Sequence, residues 1–124
     1  MAGTIVASTI NTDTGLFSTN NAYQGIAKAW VQWAGSTGVI ASSLNVSSVT
    51  HTSTGVWVVN FTTAMPNANY AINTSGSGDT TGGGATTYLI YNIAPTTTGF
   101  TVGSCRTNNA VQDTTYMFAS VFSA

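Results

Sequence analysis

Val56-Trp57-Val58-Val59-Asn60-Phe61-Thr62 is the stretch that decides the fold. Its residues are almost all β-branched or aromatic, the types that fit a pleated, half-buried surface. Side chains of a strand alternate between faces, so Trp57, Val59 and Phe61 share one face, and Val56, Val58 and Asn60 the other. The first row reads as a core wall; the second is mixed enough to meet a sheet edge or a subunit. The segment Ile26-Ala27-Lys28-Ala29-Trp30-Val31-Gln32-Trp33 follows the same logic. Ala27, Ala29, Val31 and Trp33 make a uniformly apolar row expected in the core. Trp30 falls on the opposite row, expected to be partly exposed or at a subunit interface.

Working outward, Gly15, Gly35, Gly38, Gly55, Pro66, Gly76–Gly84, Pro95, Gly99 and Asn108-Asn109 punctuate the chain. Between them lie short runs of Val, Ile, Thr, Tyr, Phe and Trp, the pattern of many short strands in a sandwich or barrel. Strands are expected at Thr37–Ala41, Leu44–Thr50, Tyr70–Thr74, Thr87–Ile93, Phe100–Gly103 and Thr115–Phe122, with Leu44 and Val46 on a shared face. No window supports a helix, because β-branched residues and glycines interrupt each candidate. The fold class is therefore all-β: an antiparallel β-sandwich, jelly-roll or immunoglobulin-like, of about 7–9 short strands. Tyr116–Phe122 is apolar on both sides, as expected of a strand clamped centrally in a sheet or buried against another subunit. The polar run Asn11–Asn21 suggests an extended N-terminal arm over residues 1–22, preceding a sandwich body over 23–124. Thr4–Ile10 reads equally well as a first strand of the same sandwich.

Charge is scarce: two cations and three carboxylates among 124 residues, with one histidine. Hydrophobic residues make up 43 % of the chain, enough to drive folding where disordered chains stay open. The surface must then be wetted by Thr, Ser and Asn. A net charge of −1 removes the repulsion that keeps proteins apart and favours association. Two cations cannot neutralise a useful run of phosphates, so no nucleic-acid partner is expected. No apolar run is long enough for a transmembrane helix, and Met1–Ile10 lacks the basic start of a secretory signal. Cys105 is the one cysteine, excluding an intrachain disulfide.

Catalytic chemistry finds little to work with. His51 is the only base for a Ser–His–Asp set, completed on paper by Asp79 or Asp113, but no serine sits in a Gly-x-Ser-x-Gly elbow. The three aspartates lie in turn-like contexts, where they cap turns instead of flanking a glycosidic bond. One histidine and one cysteine far apart in sequence do not make a zinc site. The glycine-rich Gly76–Gly84 lacks the Gly-Lys-Ser/Thr ending of a phosphate loop and is expected to be a long hairpin loop. No cofactor is expected. Exposed aromatics amid neutral hydrogen-bonding groups instead suggest carbohydrate contact, with Tyr23, Trp30, Tyr88 and Tyr91 as candidates.

The blocks Tyr23–Trp33, Asn45–Thr50 and Thr54–Tyr70, with a looser match at Ala119–Ser123, resemble a module recurring in bacteriophage tail-fibre-like and other virion-surface proteins. The resemblance implies a non-enzymatic virion structural protein, a short tail-fibre-like protein engaged in host attachment. A capsid decoration protein and a stand-alone carbohydrate-binding module are the alternatives. The implied partners are copies of the chain itself, expected as a trimer, other virion proteins and a host surface glycan. Binding residues are expected at Trp30, Tyr91, Asp79, Asn108 and Asn109, and subunit contacts at Ile5, Ile10, Phe118 and Phe122.

Overall fold

A computed structural model describes Gly3 and residues 23–79, 88–106 and 108–123; of 79, 88–90, 92 and 93 it describes the backbone alone. The expected arm, with Ile5 and Ile10, lies outside the described residues. Eight strands are formed: β1 (Ala29–Ala34), β2 (Ile40–Leu44), β3 (Val46–Ser53), β4 (Val56–Phe61), β5 (Ala71–Asp79), β6 (Tyr88–Thr96), β7 (Gly99–Arg106) and β8 (Thr114–Phe122). They make two four-stranded sheets, β2-β1-β8-β5 and β3-β4-β7-β6. Every pairing is antiparallel, so the molecule is the β-sandwich expected from the sequence.

The alternation read from the sequence builds the core. Ala29, Val31 and Trp33 from β1 and Met117, Ala119 and Val121 from β8 face Trp57, Val59 and Phe61 from β4 and Phe100 and Val102 from β7. Trp33 and Trp57, both fully buried, meet edge to face at 6.2 Å between ring centres. That geometry sets the positive rim of one ring against the negative face of the other. β8 lies centrally between β1 and β5, as its two-sided apolar character suggested.

Turn chemistry moves several boundaries. The second strand begins at Ile40, not Thr37, because Thr37 and Gly38 both donate their N–H to Ala34 O and wrap the chain into a turn. Gly38 sits at φ +77°, open to glycine at no steric cost. Leu44 and Val46 do not share a face. Asn45 adopts φ +55° between them, leaving Leu44 exposed and Val46 buried. Gly76, Ser77 and Gly78 belong to β5, whose pairing with β8 continues to Asp79 opposite Thr114, so they are strand and not loop. β5 and β6 lie in different sheets, so their connection is a crossover and not a hairpin. Pro95 falls inside β6, an edge strand, where the register shifts between Ile93 and Thr96 and a missing N–H is tolerated.

The two ends of the sandwich are tied differently. At one end, Trp57 Nε1 donates to Gly35 O at 2.7 Å, and Asp113 Oδ1 accepts from Gly55 N at 2.6 Å and meets His51 Nε2 at 2.9 Å. At the other, Asn45 Nδ2 donates to Lys28 O and Thr63 O while its Oδ1 accepts from Thr63 N. There the buried Tyr70 hydroxyl reaches Thr96 O and Gly99 O at 2.9 and 2.8 Å.

Candidate functional site

Alternation that buries Met117, Ala119 and Val121 turns Tyr116, Phe118, Ser120 and Phe122 outward. Register then assembles the rest of that face. Trp30 lies opposite Ser120, and Gln32 opposite Phe118. On the far side of β8, Asn73, Ser75 and Ser77 lie opposite Ser120, Phe118 and Tyr116. Beyond β1, Leu44 lies opposite Trp30 and Ser42 opposite Gln32. The outer face of β2-β1-β8-β5 is thus a row of aromatic rings along β8, joined by Trp30 and flanked on both sides by hydroxyl and amide side chains. Trp30 is 38 % exposed, Tyr116 and Leu44 each 48 %; Phe118 and Phe122 are half-buried.

Between β5 and β8 the face dips into a shallow open depression of about 240 Å³, lined by Asn73, Thr74, Ser75, Phe118, Ala119 and Ser120. Among the described side chains, the face carries one ion, Lys28 at its rim. Lys28 Nζ donates to Tyr23 O at 2.5 Å and sits 3.2 Å from the centre of the Tyr23 ring, so that cation is already engaged. Asp79 ends β5 at the opposite rim.

The expected site residues divide. Trp30, Phe118 and Phe122 come together on this one face. Tyr91 does not join them: it pairs with Gly103 on the outer face of the other sheet, and its ring occupies the space where a Gly103 side chain would begin. Trp30 and Tyr91 therefore cannot serve one ligand. Asn108 and Asn109 are exposed in the β7–β8 connection, where Asn109 takes φ +63° and donates its N–H to Arg106 O. Of Asp79 the backbone alone is described. Tyr23 is exposed but engaged with Lys28, and the Tyr88 side chain lies outside what is described. Tyr116, Asn73 and Ser75 were missed; parity along β8 with Phe118 pointed to Tyr116, but β5 needed its register.

The chemistry-bearing groups lie elsewhere. Among the described side chains, Asp113 is the carboxylate brought to His51. The His51 ring also stacks on Trp57 at 5.6 Å, and the shared Asp113 oxygen holds the Gly55 N–H. Among the described residues, no serine or threonine hydroxyl bonds to the His51 ring, so the pair ties the β7–β8 connection to the β3–β4 hairpin. No group of three metal-ligating side chains occurs among the described residues, and no helix there is long and apolar enough to cross a membrane. No protein-family model matches the chain, and no curated protein or solved structure matches it.

Proposed function

We propose that this chain is a non-enzymatic structural protein of a bacteriophage particle surface, a short tail-fibre-like module engaged in host attachment. The observation that carries the reading is the outer face of β2-β1-β8-β5, which presents aromatic rings and neutral hydrogen-bonding groups on a rigid sheet and, among the described side chains, a single ion at its rim. Such a face is suited to making contacts, and among the described side chains no histidine or carboxylate stands beside its serines to activate them. The resemblance of Tyr23–Trp33 and Thr54–Tyr70 to virion-surface modules points the same way. The near-neutral chain associates with copies of itself, as a trimer, and with other virion proteins.

Purified particles test this directly. Mass spectrometry is expected to find the chain in them, and a particle map is expected to place it on the tail. Symmetric coating of the head would favour a capsid decoration protein, and absence from purified particles would overturn the reading. Solution mass is expected at three times that of the chain.

A further inference from the structure

We infer that the outer face of β2-β1-β8-β5 binds a neutral glycan, laid along the aromatic row of β8. The row Tyr116, Phe118, Ser120, Phe122 spans about 20 Å at the rise of an extended strand, with Trp30 filling the ring position beside Ser120. A pyranose ring offers an apolar face of C–H groups and a rim of hydroxyls. Aromatic faces carry partial negative charge that attracts those C–H groups. The hydroxyls need partners of both senses. Gln32, Ser42, Asn73, Ser75, Ser77 and Ser120 supply donors and acceptors on both sides of the rings. The depression lined by Asn73, Ser75, Phe118 and Ser120 puts amide, hydroxyl and aromatic side chains together at one point of the track.

Charge and composition choose this occupant. A single-stranded nucleic acid also stacks on aromatics, but needs a positively charged groove, and the one cation at this rim is held by Tyr23. An acidic glycan lacks a counter-charge for the same reason. A second copy of the chain would bury a core depleted in serine, whereas serines line this face at four positions. The glycan supplies the recognition step of host attachment, and the inference rests on that reading for the source of the sugar alone.

The test is affinity electrophoresis of the full chain through gels containing dextran, mannan or galactan, with heparin as the acidic control. Retardation by at least one neutral polymer, unchanged by added salt, is expected. Trp30→Ala and, separately, Tyr116→Ala are expected to weaken it by roughly tenfold or more, as loss of a central aromatic contact does. Tyr91→Ala, on the opposite face, is expected to leave it unchanged. Thermal melting of each variant separates a lost contact from a lost fold, and Tyr116, half-exposed, serves if Trp30→Ala does not fold. No retardation by any neutral polymer, retardation by heparin that salt abolishes, or equal loss in Tyr91→Ala would each overturn the inference. So would a solution mass that falls to the monomer in Trp30→Ala, which would place a second copy on the face. Particle localisation is a separate measurement, so a protein found on the tail that ignores neutral glycans sinks this inference and spares the virion reading.

Discussion

The two ends of the sandwich close the same core by opposite chemistry. The end holding Trp57 is closed by an ionisable pair, His51 and Asp113, and by two backbone approaches with no room for a side chain. A methyl group on Gly35 would sit 2.0 Å from Thr114 O, and one on Gly55, at φ +71°, 2.5 Å from Ser104 O. The end holding Tyr70 is closed by neutral groups, an amide bridging three backbone atoms and a phenol bridging two. Contacts made by a carboxylate are weakened by salt screening, whereas neutral hydrogen bonds made to backbone keep their strength in salt. The Tyr70 end should thus be the one whose closure ignores ionic strength.

The largest expected effect strikes the first end. Trp57→Ala removes a fully buried ring that touches Trp33 and His51 and holds Gly35 O, and should cost about 3–5 kcal/mol in denaturant unfolding. Next comes Asn45→Ala, which breaks three hydrogen bonds and strains a left-handed backbone, at about 2–3 kcal/mol. Asn45→Gly keeps the backbone conformation easy and isolates the side-chain share. Asp113→Ala should cost about 1–2 kcal/mol and speed hydrogen exchange at the Gly55 amide, with exchange at Thr63 unchanged. A larger cost for Asp113→Ala than for Asn45→Ala would reverse the ranking of the two ends.

Tyr70→Phe is the smallest and most diagnostic change, at about 1 kcal/mol near neutral pH. Burial pushes the Tyr70 phenol above its usual 10.0. The folded state then holds this proton more tightly than the unfolded chain does. Its contribution is complete below pH 10.0 and is lost as pH rises through the higher folded value. Unfolding free energy measured from pH 9 upward should fall in the wild type with a component that Tyr70→Phe removes. An identical alkaline slope in both proteins would assign that loss to other groups.

The strands were legible because two-residue alternation is a local signal: Trp57, Val59 and Phe61 declared a core wall without any knowledge of partners. Central placement of β8 was also legible, from Tyr116–Phe122 being apolar on both sides. What escaped depended on backbone sign and on pairing. Asn45 in the left-handed region flips the parity between Leu44 and Val46, and no composition rule announces that. Gly76–Gly78 looked like a loop because glycine is a poor strand former, yet β8 supplies a partner that holds them extended. The candidate face needed register: Trp30 and Phe118 were each visible alone, but their meeting on one surface, and the separation of Tyr91 from both, follows from which strands lie side by side. The His51–Asp113 contact joins distant segments and becomes visible only in three dimensions.

The place of β8 also constrains how the molecule can be made. β1 and β5 touch each other through β8 alone, so that sheet stays in two pieces until synthesis has passed Phe122. Pairing Ala29 with Val121 closes a loop of nearly the whole described chain, an entropic toll that makes folding slow and places it after translation of the body. In that interval the rows of Trp33 and Trp57 stand uncovered, so yields in a crowded cell should respond to chaperone supply more than to the stability of the finished sandwich.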